Sequence, residues 1–149
     1  MSVNSLALVE ITNSDDIAER YGVTLYGILY HDFIARLQSW VRSNDQGKSI
    51  GPNRYMAILR GVGSHAQLEL AIAKLNRILA EPFEVVDEII PVYIHTGFAI
   101  MRDEAVKPSD ALRQATQALN RAKANNQAYM IHGEESGGDP NEEREMVAQ

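Results

Sequence analysis

The chain has 149 residues, 45% of them hydrophobic and 23% charged, which suits one globular domain with a real core. It has no cysteine, so disulfide frameworks, thiolate nucleophiles and zinc–thiolate sites are excluded. The net charge of −6 is concentrated after Gly133, where six acids face Arg144, so residues 1–132 carry about −1 and offer no basic footprint for nucleic acid.

No signal-peptide pattern follows Met1, and no apolar run reaches the roughly 20 residues of a membrane span, so a cytoplasmic setting without membrane contact is expected. Leu6 to Ile11 is an apolar run of buried-strand length. Asn13 or Ser14 is placed to cap a short helix reaching Tyr21, and Gly22 ends it. Leu25, Ile28, Leu29, Phe33, Leu37, Trp40 and Val41 recur at helical spacing and predict a long amphipathic helix over 25–43.

A hairpin is expected next, over 46–50 and 54–60. Gly51-Pro52-Asn53 is strong turn chemistry: Pro presets one backbone angle and Asn tolerates a positive φ. Tyr55 to Leu59 then reads as a buried strand whose tip stands at the sheet edge. Gly61 and Gly63 break it. Ser64 with Gln67 forms a capping box for a helix whose core face is Leu68, Ala71, Ile72, Leu75, Ile78 and Leu79, stopped by Pro82.

Phe83 to Val86 and Ile89 to Ile100 read as a second hairpin around Asp87-Glu88. Ser109 is expected to cap a last helix with the face Leu112, Ala115, Ala118, Leu119 and Ala122. Asn125-Asn126 ends it, and Ala128 to Ile131 closes as a strand. The order β-α-α-β-β-α-β-β-α-β predicts an α+β fold, a central mostly antiparallel sheet of five to six strands flanked by helices. Residues 1–132 form the domain, and 133–149 read as an acidic linker, with Glu142 to Gln149 resembling the start of a further helix.

Several ordered landmarks resemble the GGDEF domain, the bacterial diguanylate cyclase module with its nucleotide-cyclase-like, palm-like fold. Leu8 to Gly22 resembles its first strand and helix. Gly51-Pro52-Asn53-Arg54-Tyr55 stands where Gly-Gly-Asp/Glu-Glu-Phe should be. His95-Thr96-Gly97-Phe98-Ala99 resembles Ser-x-Gly-x-Ala, and Ala115 to Lys123 resembles Ala-Asp-x-Ala-Leu-Tyr-x-Ala-Lys. Arg42-Ser43-Asn44-Asp45 stands at the Arg-x-x-Asp position.

The resemblance implies a site that condenses two GTP molecules across two facing domains, with Mg ions on the phosphates. The strand-end metal acid maps to Glu10, beside the Ile11 carbonyl, and the hairpin acid maps to Arg54, a cation. Pro52 adds a ring where a glycine would let the backbone approach phosphate. The guanine-reading Asn and Asp map to Ala18 and Gly27, while Lys123 persists at a phosphate-contacting position. On this mapping no diguanylate cyclase activity is expected, no residue is assigned as catalytic or metal-binding, and no cofactor is expected. Glu10 is expected to form a salt bridge with Arg54 instead.

Arg42 and Asp45 are open to two readings. The resemblance makes them a cyclic-di-GMP site, with Lys74 or Arg77 as a second base; the simpler reading is a solvated i,i+3 ion pair. The four histidines have no metal-ligand spacing. The expected roles are a non-catalytic regulatory domain, a cyclic-di-GMP receptor or, least, an unusual cyclase. The resemblance implies an EAL phosphodiesterase domain or a second GGDEF copy as partner.

Overall fold

The computed structural model describes residues 3–103 and 106–134. In chain order the elements are β1 (Asn4–Ile11), α1 (Ser14–Tyr21), α2 (Val23–Trp40), β2 (Gln46–Ile50), β3 (Arg54–Leu59), α3 (His65–Ala80), β4 (Phe83–Val85), β5 (Glu88–Ile90), β6 (Ile94–Met101), α4 (Pro108–Ala124) and β7 (Tyr129–Ile131). Five strands form one sheet in the order β2-β3-β1-β6-β7; all neighbours are antiparallel except β6 and β7. The chain is thus α+β with a mostly antiparallel sheet.

β1 is the centre of the sheet because it is covered on both faces: every residue from Ser5 to Ile11 is buried. Alternation splits its side chains between two layers. Ala7, Val9 and Ile11 join Phe33, Leu37 and Leu68 under α2 and α3. Leu6 and Leu8 join Ala99, Ala115 and Leu119 under α4. Glu10 has the parity of Leu6 and Leu8, so its carboxylate emerges on the α4 side.

α4 can lie close to the sheet because of one glycine. A Cβ at Gly97 would collide with the carbonyl of Ala115 and the backbone nitrogen of Leu119. Buried alanines at 111, 115, 118 and 122 give the matching smooth face. This close approach brings the end of α4, with Lys123, over the end of β1.

α3 opens with the expected capping box, Ser64 and Gln67 each bonding the other's backbone. At its other end Arg36 of α2 takes over the capping: its guanidinium donates to the carbonyls of Ile78 (3.3 Å), Glu81 (2.6 Å) and Pro82 (2.8 Å). It also lies 3.8 Å from the Phe83 ring centroid. A cation at a helix C-terminus completes orphan carbonyls and opposes the helix dipole.

Some sequence expectations need correction. The segment from Ile89 to Ile100 is not one strand: Pro91 cannot donate to a ladder, so β5 ends before it and β6 begins at Ile94. β4 and β5 make a separate two-stranded sheet, its turn at Val86-Asp87 rather than Asp87-Glu88. Both turn residues have positive φ, 50° and 65°. α2 ends at Trp40, not 43, and Val41 is already extended. Asn13 does not cap α1: its side chain instead donates to Pro91 O at 3.0 Å and accepts from Tyr93 N at 2.9 Å. α4 starts at Pro108, with Lys107 at the cap and Ser109 inside the first turn. Proline fits there because its missing N–H would be unpaired anyway. The expected linker lies, from residue 135 on, outside the described residues.

Candidate functional site

The strand register places Glu10 directly across from Arg54 on one side and His95 on the other. The Glu10 side chain is only 6% exposed. Arg54 Nε donates to its Oε1 at 2.7 Å, and Lys123 Nζ donates to Oε2 at 3.0 Å. Both carboxylate oxygens are therefore taken by cations. The expected Glu10–Arg54 pair is present, and Lys123, expected to face phosphate, bonds the same carboxylate.

His95 lies beside this trio and accepts or donates at Nδ1 to Thr12 Oγ1, 3.0 Å away. Burial pushes its pKa below the usual imidazole range, only partly offset by a bond with Asn126 and the charge of Glu10. With His95 neutral, one carboxylate and two cations leave the cluster at +1.

The hairpin tip folds down onto the start of the helical layer. Ile11 N donates to Asn53 O at 2.9 Å, and Asn53 Nδ2 returns bonds to Ile11 O at 3.3 Å and Ser14 Oγ at 3.2 Å. Tyr26 Oη donates to Pro52 O at 2.7 Å, and Tyr30 Oη donates to Arg54 O at 3.0 Å. The two tyrosine rings stack 6.0 Å apart. Burial, chiefly, pushes the Tyr26 hydroxyl up to about 12, so it stays a donor throughout the neutral range. Tyr30 Oη also lies 3.3 Å from Gly51 O, so the carbonyls of Gly51, Pro52 and Arg54 all face α2.

Ala18 is half-buried against the core, and Gly27 sits exposed on α2 with open space at its Cβ position. Neither offers a polar handle to this region. Tyr55 points to the opposite face from Arg54 and is buried among the α2 and α3 residues. Tyr26 and Tyr30 were not singled out in the sequence. Their i,i+4 spacing on an apolar stripe made them indistinguishable from core, and only the hairpin's position reveals their hydroxyls' use.

Arg42 and Asp45 are joined at the far end of β3, in the loop beyond α2. Arg42 Nε and Nη2 meet Asp45 Oδ2 and Oδ1, each at 3.0 Å. Asp45 also accepts from the backbone nitrogens of Arg42 (3.0 Å) and Arg60 (2.8 Å), while Arg42 Nη2 donates to Arg60 O. The Asp45 side chain is 1% exposed. Burial alone would raise its pKa, but the bonds from Arg42 and Arg60 outweigh this and hold it below the usual carboxylate range. Asp45 is therefore closed off, already accepting four bonds, while the Arg42 side chain remains half exposed. Beside it a cavity of about 320 Å³ is lined by Trp40, Arg42, Leu70, Ala71 and Lys74, among others. Lys74 and Arg42 line this cavity together, whereas Arg77 lines a different hollow with Arg36, Ile78 and Glu81.

Among the described residues no group of three or more His, Asp or Glu is placed to hold a metal ion. Nor is any helix long and apolar enough to cross a membrane.

In fold the chain is similar to an EAL/GGDEF domain protein from M. capsulatus, with a TM-score of 0.78 at 21% identity over 89% of this chain and 86% of that one. It is similar to the GGDEF domain of DgcB from Caulobacter crescentus, solved in complex with c-di-GMP: TM-score 0.76, 11% identity, 88% and 77% covered. It is also similar to the active GGEEF domain of a diguanylate cyclase from Vibrio cholerae: TM-score 0.73, 18% identity, 89% and 84% covered. Among curated proteins, none matches the chain in sequence. The family model described as "Diguanylate cyclase, GGDEF domain" matches residues 2–128, and with that match over most of its length the chain belongs to the GGDEF family.

Proposed function

We propose that this chain is a regulatory GGDEF domain of cyclic-di-GMP signalling that does not itself make cyclic-di-GMP. The observation that carries the reading is the double engagement of Glu10 by Arg54 and Lys123. A magnesium ion wants a near-octahedral shell of oxygens, with one or two free carboxylates from the protein. Here the one carboxylate has both oxygens bonded to cations, the neighbouring Ile11 carbonyl accepts from Asn53, and the cross-strand residue is itself a cation. The magnesium and GTP of the family chemistry do not fit this donor set. The loss of side-chain handles at Ala18 and Gly27 supports the same reading on the base side.

The role is then to pack against a neighbouring domain, such as an EAL domain, or a second GGDEF copy. The fold likeness to an EAL/GGDEF protein supports that setting.

A second reading, a cyclic-di-GMP receptor, is favoured by the cavity between Arg42 and Lys74. Against it, Asp45 has no acceptor capacity left for a guanine edge until Arg42 lets go.

The test is a calorimetric titration of the 149-residue chain with GTP plus magnesium and with cyclic-di-GMP, alongside Arg42→Ala, and an assay of product formation from GTP. The regulatory reading expects no turnover and no GTP–magnesium heat. Metal-dependent product formation would overturn it. Saturable cyclic-di-GMP binding lost in Arg42→Ala would install the receptor.

A further inference from the structure

The two faces of the five-stranded sheet are covered unequally. On the face under α2 and α3, a row across neighbouring strands stays buried as far as β3: Ile131, Phe98, Ala7 and Ala57 are each at most 3% exposed. The matching row on the other face is Met130, Gly97, Leu8, Met56 and Lys48. Burial there ends after Leu8: Met56 is half-buried and Lys48 is exposed. β3 shows the same split along its length, with Tyr55, Ala57 and Leu59 buried and Arg54, Met56 and Ile58 partly open.

The cause is a missing helix width. Among the described residues, α4 alone contributes helical side chains to this layer, whereas α2 and α3 share the other. Neighbouring strands lie about 4.8 Å apart and packed helices about 10 Å apart, so one helix covers about two strands. α4 is drawn down over β6 by Gly97, which leaves β3 and β2 bare. The bare strip has an apolar floor of Ile50, Met56 and Ile58, continuous with the cluster buried under α4, and Leu112 of α4 forms its wall.

The strip is also positively charged. The six residues that β2 and β3 turn to this face are Gln46, Lys48, Ile50, Arg54, Met56 and Ile58, with two cations and no acid. Arg54 shares Glu10 with Lys123, so that end keeps a charge of +1, and Lys48 stands exposed at the sheet edge.

We propose that this strip seats an amphipathic helix of a partner polypeptide, with its apolar stripe on Ile50, Met56 and Ile58 and its acidic flank on Lys48 and Arg54. Laying an apolar helix face into an apolar groove is a common way to recognise a partner, and opposite charges at the rim fix its orientation. The six residues of β3 run about 20 Å, the length of roughly 13 helical residues. A second copy is a poorer occupant: among the described residues, the apolar faces of α2, α3 and α4 are already spent in their own core. Such docking gives the interaction role proposed above its surface and rests on that role. GTP turnover would overturn the non-catalytic reading while leaving the strip and its test unchanged.

Methionine-methyl NMR on the 149-residue chain reads the outcome, because Met56 lies in the strip while Met130 is buried under α4. The probe is a helical peptide of about 15 residues, with leucines every three or four positions and glutamates beside them. The Met56 methyl should shift saturably, with a Kd on the order of 10⁻⁴ M, and Met130 should stay put. A peptide with lysines in place of the glutamates should bind more weakly. Lys48→Glu, at an exposed position, should weaken the glutamate peptide about threefold or more and favour the lysine peptide. Ile50→Glu should abolish the shift at the same peptide concentration. No Met56 shift, equal binding of both peptides, or binding unmoved by both variants would overturn the proposal. So would a Met56 shift that grows with protein concentration alone, which would assign the strip to a second copy.

Discussion

Replacing Glu10 by Gln would leave Arg54 and Lys123 facing each other across a neutral amide of the same size. Each cation is about one-third exposed, 32% and 33% by side chain, so water recovers part of the loss. A charge-assisted hydrogen bond contributes roughly 1.5–3 kcal/mol when dry and far less in water. Two such bonds, discounted for exposure, give a destabilisation of about 2 kcal/mol. For a domain of this size that lowers the melting temperature by roughly 4–8 °C. Urea unfolding of wild type, Glu10→Gln, Arg54→Ala and the double variant closes a cycle. The expected Glu10–Arg54 coupling is about 1 kcal/mol. Additivity within about 0.3 kcal/mol would refute the reasoning and leave the pair as a geometric accident.

Three further outcomes follow from the packing and the charges. Gly97→Ala should destabilise by about 3 kcal/mol in the same denaturation assay, because the methyl meets backbone of α4, which cannot swing aside as a side chain can. Tyr30→Phe should shorten amide-exchange protection at the β2–β3 tip and cost about 1 kcal/mol, since its hydroxyl donates to Arg54 O. His65 bonds Glu69 Oε1 at 2.9 Å and Glu134 Oε1 at 2.8 Å, and these partners raise its pKa above the usual imidazole value. The raised folded-state value means the pairing contributes stability fully below pH 6.5 and loses it as pH rises through the folded pKa. NMR titration should show that raised pKa falling back toward normal in Glu134→Gln, and no change there would remove Glu134 from the account.

Local chemistry made much of the fold readable. The capping box at Ser64, the turn at Gly51-Pro52-Asn53 and the helical spacing of Leu68, Ile72 and Leu75 each act within a few residues, and the structure keeps all three. Where the reading slipped, a distant group had intervened. Asn13 abandoned its cap for the backbone of residues 91 and 93, some 80 positions away. Around 86–94 the apolar run is continuous in sequence, but Pro91 divides it into β5 and β6.

The candidate site divides the same way. The sequence by itself determined that the hairpin carries a cation, Arg54, and that Ala18 and Gly27 carry no hydrogen-bonding side chains. It also made the Glu10–Arg54 pairing arguable. Only the tertiary structure decided that Lys123 completes the pair, because its place depends on how closely α4 rests on Gly97. Only the structure showed that Asp45 is consumed by Arg42 and Arg60, and that Tyr26 and Tyr30 hold the hairpin tip. Composition and spacing specify which groups a chain owns; which groups meet depends on strand register and on the distance at which a helix packs, and those are set by contacts between residues far apart in the chain.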